Sequence, residues 1–161
     1  MLAPLWTARR DRASRTVSVR NLSHRLHTLR RMTTVAFIDE TTAGARSDAW
    51  HLEIFEERLS LGELLRRRVF QEVAEYNAKQ PEVFTGLVRP TDAEVAINGF
   101  RMRERRRVDP EKQYELAVES FGRNGFVVLV DDRQIEELDA EIEIRQGTEI
   151  TFLKLVPLVG G

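Results

Sequence analysis

Polar and apolar positions along the chain follow two periods, and the order of those periods predicts the fold. Val35-Ala-Phe-Ile-Asp39 is a short β-type run, and the apolar positions Trp50, Leu52 and Ile54 alternate within the segment 50–55. A Gly- and Ser-containing turn from Thr41 to Asp48 joins the two runs, which predicts a hairpin. The period then changes from two to 3.6. Leu61, Leu64, Leu65, Val69, Val73 and Tyr76 recur at helical spacing, with Ser60 at the N-cap position and Glu63 at that of its capping-box partner. The spacing predicts a helix of about four turns ending at Asn77 and packed on the hairpin.

Pro81 and Pro90 mark loop, and Asn98-Gly99 is a hairpin signal between short β-like arms, along which Arg101, Arg103, Arg105 and Arg107 would project to one side. Asp109-Pro110 reads as an N-cap followed by proline at the first helical position. The helix from Glu111 would bury Tyr114, Ala117, Val118 and Phe121 before Gly122 and Gly125 end it. Phe126-Val-Val-Leu-Val130 is a continuous apolar run, expected of a strand buried on both faces or nearly so. After a turn at 131–134, Ile135 and Leu138 dock, Ile142 and Ile144 mark a short strand, and Arg145-Gln-Gly-Thr148 turns into a final strand from Glu149. With the first and last strands adjacent in the centre, this order predicts an α+β fold of the β-grasp type. It is a mixed sheet with one packed helix and an inserted hairpin-plus-helix module at 78–125.

Charge divides the chain. Residues 1–31 hold eight arginines and a single acid, Asp11, whereas residues 32–161 carry a net charge of −8. The first segment reads as a disordered extension or the product of an upstream start codon. A targeting segment and a nucleic-acid or membrane arm are the other readings. The folded domain is therefore expected over 32–161. No apolar run approaches the roughly 20 residues that span a bilayer. The absence of cysteine excludes disulfides, thiolate metal sites and a cysteine nucleophile. The expectation is a cytoplasmic protein with no membrane partner.

Candidate chemistry gathers at the end of the sequence. The apolar stretch 150–159 leads directly into Gly160-Gly161, and two residues without a β-carbon make a thin, permissive tail. Such a tail can thread a narrow channel and present its α-carboxylate to ATP. A carboxylate is a poor electrophile, so acyl transfer from it needs an adenylating partner, and the chain would be the substrate. Ile150 and Phe152 read as core. In the tail, 153–161, Leu155, Pro157, Leu158 and Val159 are too apolar to remain in water and are expected to dock on a partner.

The run Val128–Gly161, with its Gly147-Thr148-Glu149-Ile150 approach to the last apolar strand, resembles the C-terminal portion of ubiquitin-like sulfur carriers. The small subunit of molybdopterin synthase and the thiamine-pathway carrier are the families it is most similar to. The insertion at 78–125 departs from them and points toward a protein modifier, like the bacterial ubiquitin-like proteins. The resemblance implies that Gly161 is adenylated by an activating enzyme, which uses the ATP, and is then conjugated through a conjugating enzyme to target proteins. Alternatively it implies a C-terminal thiocarboxylate delivered to a sulfur-accepting synthase for cofactor or tRNA thiolation. A β-grasp binding module whose tail is not conjugated is the third reading. None needs a bound cofactor or a metal, and no nucleophile and base pair, phosphate loop or paired carboxylates suggest an enzyme.

Lys79, Lys112 and Lys154 are the only lysines against 22 arginines, which a GC-rich genome would also produce. His51 falls on the phase opposite Trp50 and Leu52 and reads as a surface residue; His24 and His27 have no carboxylates at metal spacing. The arginines at 101–107 read as a solvated or edge-protecting face, not a nucleic-acid surface, and the eight carboxylates at 131–149 as a solvated loop.

Overall fold

Val35 and Phe37 point one way from the first strand, β1 (Thr33–Thr41), and give it a buried face. The structure is a computed structural model describing residues Arg31–Leu155. β1 turns into β2 (Trp50–Ile54), pairing antiparallel with Val35 opposite Leu52 and Phe37 opposite Trp50. A short strand, β3 (Arg58–Ser60), leads into helix α1 (Leu61–Lys79). The Ser60 hydroxyl accepts from Glu63 N, while the Glu63 carboxylate is taken up by Arg67 Nε at 2.9 Å. The two preceding helical N–H groups, Leu61 and Gly62, donate to Ala140 O and Leu138 O. These bonds satisfy the start of the helix and explain why segment 138–140 docks there. The helix runs two residues past the expected end and stops where Gln80 adopts a left-handed φ of 43°.

The module after α1 contains a strand that the proline-rich sequence obscured. β4 (Val83–Phe84), β5 (Ala93–Ala96) and β6 (Gly99–Met102) form a three-stranded sheet in the order β4-β6-β5. The hairpin turn is Ile97-Asn98, one residue earlier than the Asn-Gly signal placed it, because Gly99, with φ 139°, already pairs with Ala96. A β-carbon on Gly99 would lie 2.5 Å from Phe84 O, so the close approach of β4 is what demands glycine there. β6 ends at Met102, so the four arginines do not form one row: only Arg101 is on the strand, and Arg103, Arg105 and Arg107 lie beyond it. Helix α2 (Pro110–Gly122) starts as expected, with Asp109 Oδ1 accepting from Glu111 N and Lys112 N. Ala117 is buried, Tyr114, Val118 and Phe121 are half-buried, and Gln113 is buried with its amide donating to Val88 O at 2.7 Å.

β7 (Phe126–Val130) alternates between buried and half-buried positions, so only one of its faces is fully covered. Asp131 and Asp132, both at positive φ, make the tight turn into β8 (Arg133–Ile135). β9 (Glu141–Glu143) pairs with β3, and β10 (Glu149–Lys154) closes the fold. The main sheet has the order β2-β1-β10-β7-β8, with β1 and β10 parallel in its centre and the other pairings antiparallel. The architecture is α+β, with mixed sheets and two helices. The buried cluster joins Val35, Phe37, Ile150 and Phe152 of the central pair to Leu61, Leu65, Val69 and Val73 of α1. The readings made of residues 1–30 lie outside the described residues. Among the described residues, no helix is long and apolar enough to cross a membrane.

Gly99→Ala is expected to lower the unfolding free energy by about 2 kcal/mol, since it adds a steric clash with backbone to a disfavoured φ. Denaturant unfolding checks this; a change within a few tenths would show that the hairpin can move away from β4.

Candidate functional site

Three charged side chains stand at core-phase positions where the central strands end. Asp39 follows Val35 and Phe37 on β1, Lys154 follows Ile150 and Phe152 on β10, and Arg68 lies on the apolar stripe of α1 between Leu64, Leu65 and Val69. Arg68 is 1% exposed. Its Nη2 donates to Asp39 Oδ2 at 2.9 Å and its Nε to Glu72 Oε1 at 2.7 Å. Nη1 lies 2.7 Å from Asp39 Oδ1 in an ion contact too poorly aligned for a hydrogen bond. The guanidinium also covers the Phe152 ring at 4.1 Å from its centroid, which ties the charge to the core packing.

The cluster reaches into the inserted module and to the root of the tail. Glu72 Oε2 accepts from Leu87 N at 3.1 Å, and Lys154 Nζ donates to Gly86 O at 3.3 Å while lying 3.7 Å from Asp39 Oδ2. Lys154 O accepts from Thr42 N, and Leu155 N donates to Gly125 O at 3.4 Å. The chain therefore leaves β10 under restraint from β1, from the 85–87 loop and from the residue before β7. This is a positioning device. Its charged groups are committed to one another, so what it controls is the direction in which residue 155 departs.

The electrostatics follow from burial. For Asp39, burial opposes ionisation, but Arg68 and then Lys154 outweigh it and hold the carboxyl below its usual range. For Glu72, burial wins over Arg68 and the Leu87 N–H, and pushes the carboxyl up. Arg68 is disfavoured by burial and rescued by Glu72 and Asp39, which leave it more firmly protonated than a free guanidinium. Beside the cluster opens a cleft of about 380 Å³, walled by Trp50, Tyr76 and Phe84 and rimmed by Asp48, Glu75 and Lys79.

Of the residues expected to act, Leu155 is described: it is 42% exposed, immediately past β10. Pro157, Leu158, Val159, Gly160 and Gly161 lie outside the described residues. His51 is exposed on β2, as its phase predicted. Among the described residues no group of three or more His, Cys, Asp or Glu side chains is placed to share a metal ion. Comparison with protein-family models, with curated proteins and with solved structures finds no match.

The sequence reading passed over Arg68, Asp39, Glu72 and Lys154. The signal was present: a charge at the core phase of a helix and a charge at the core phase of each central strand. Three such charges on three elements predict a shared, neutralising cluster.

Arg68→Met is expected to cost about 3 kcal/mol near neutral pH, because the largely enclosed Glu72 carboxylate loses its counter-charge and the half-buried Asp39 keeps only Lys154. In the wild type Asp39 contributes stability present above 3.8 and lost as the pH falls. In the variant Glu72, already pushed up by burial, loses the opposing pull of Arg68, and Asp39 keeps only Lys154 against its burial. Both carboxyls then hold protons more readily than in the wild type, so part of the loss is recovered as the pH falls below neutrality. Chemical denaturation across pH checks this, and a loss independent of pH would contradict the assignment of charge.

Proposed function

We propose that the chain is a ubiquitin-like β-grasp protein whose glycine carboxylate is activated and transferred to target proteins. The observation that supports this most is the strand order β2-β1-β10-β7-β8, with a parallel central pair crossed by one helix and the chain leaving the sheet from its middle strand. A fold does not carry chemistry by itself. The second support is the restrained root at Lys154 and the exposed Leu155, which give a partner a fixed base from which to take up Leu155, Pro157, Leu158 and Val159.

In the reaction, the Gly161 carboxylate attacks the α-phosphorus of ATP on the activating enzyme and releases pyrophosphate. A partner cysteine thiolate then displaces AMP to form a thioester. A target amine next displaces the thiolate to form an isopeptide bond. If sulfide displaces AMP instead, the product is a thiocarboxylate and the protein is a sulfur carrier. Both routes ask the same of this chain, an extended tail presented from a rigid base.

With an activating enzyme, the full chain is expected to support ATP–pyrophosphate exchange, and the chain lacking Gly161 to support none. Leu158→Asp should also abolish exchange while leaving the unfolding transition unchanged. Exchange that survives removal of Gly161 would sink the proposal, and exchange retained in Leu158→Asp would remove the docking role of the tail.

A further inference from the structure

The main sheet has two edges, and they are finished differently. At one, β8 is three residues long and opens on Arg133 directly after the Asp131-Asp132 turn. At the other, β2 pairs with β1 alone among the described residues, in a continuous register from Ile54 opposite Thr33 to Trp50 opposite Phe37. Nothing in Trp50-His-Leu-Glu-Ile54 blunts that edge: it has no proline, glycine, lysine or bulge, and its core-phase positions carry no charge. Its outer row of N–H and C=O groups is left to water. Trp50 and Leu52 stand on the core phase, with the rings of Trp50 and Phe37 stacked 4.7 Å apart. Each is nonetheless only half-buried, as no strand lies beyond β2 among the described residues. Phe55, the residue after the strand, is 51% exposed.

From these observations we infer that β2 is the interface of a homodimer, in which it pairs antiparallel with β2 of a second copy and joins the two five-stranded sheets into one of ten strands. Opposed residues of an antiparallel pair point to the same side, so core phase must meet core phase. Centring the two-fold axis on His51 or on Glu53 sets identical polar side chains against each other, and for Glu53 that opposes like charges. Centring it on Leu52 sets Leu52 against its copy and Trp50 against Ile54. It also sets His51 against Glu53 twice, because the axis repeats each contact. An imidazole N–H donating to a carboxylate makes each of those pairs complementary. One step further along the same register, the exposed Phe55 falls opposite Ala49. The strand is thus self-complementary in shape and charge about its middle residue, and a second copy is the partner it fits. β10 lies two strands in from β2 and the axis reverses strand direction, so the two Lys154 roots leave opposite ends of the joined sheet. The interface uses no part of the glycine tail and stands whether or not that tail is conjugated.

The test is sedimentation velocity of the full chain over about 1 µM to 1 mM, since a five-residue edge falls at the small end of specific interfaces. A reversible monomer–dimer equilibrium is expected, with concentration-dependent backbone amide shifts gathered on residues 49–55. Glu53→Lys is expected to weaken dimerisation by about tenfold or more, because both complementary pairs are lost at once. His51→Glu, which sets carboxylates opposite each other twice, should do the same. The double variant, His51→Glu with Glu53→Lys, exchanges the two charges and should restore the dimer. Unfolding curves of the single variants that match the wild type assign their loss to the interface and not to the fold. A chain that stays monomeric throughout, association whose shifts gather at Leu155 or elsewhere outside β2, or a folded double variant that does not recover would overturn the inference.

Discussion

A buried guanidinium under the parallel central strands is the constraint on which the other parts of the fold converge. Bringing Arg68 and Glu72 out of water is expensive, and a buried ion pair seldom returns more in stability than it costs to desolvate. What the cluster supplies is uniqueness of arrangement. Arg68 must meet Asp39 on β1 and Glu72 on its own helix while lying on the ring of Phe152 from β10. Only one placement of α1 against the central pair satisfies all three. A slip of either strand by one residue would turn its charged position out of the core face and leave the guanidinium short of a partner.

The inserted module is bound into the same network, not hung from it. Glu72 and Lys154 hold the 85–87 loop from two sides. Asn77, near the end of α1, exchanges two hydrogen bonds with Val108, at 2.9 and 2.8 Å. Arg66 bridges from α1 to Glu111 at the start of α2, and Tyr114 donates to Gly62 O. The module thus packs along α1 and returns the chain through Gly125 beside Leu155.

Much of this was legible in the sequence because it depends on local periodicity. The strand around Val35 and Phe37, the cap at Ser60, the stripe from Leu61 to Tyr76 and the Asp109-Pro110 start are set by neighbours a few residues away. What escaped depends on partners far along the chain. β4 is two residues between prolines and exists because β6 lies beside it. The Asn98-Gly99 turn shifted by one residue because of the approach of Phe84, which no local signal encodes. Arg68 was overlooked because a charge on an apolar stripe is usually discounted, although its spacing placed it there. The same reasoning extended to Asp39 and Lys154 would have located the cluster.

The central proposal is that this α+β body presents the glycine carboxylate for chemical use. Its most direct test is the intact mass of the protein purified from its native host, compared with a chain lacking Gly161. The account predicts adducts of protein size that depend on Gly161, or the mass increase of one oxygen replaced by sulfur. A bare chain and no Gly161-dependent conjugate, with a competent activating enzyme shown to be present, would contradict it and leave a binding module of the same α+β architecture as the better description.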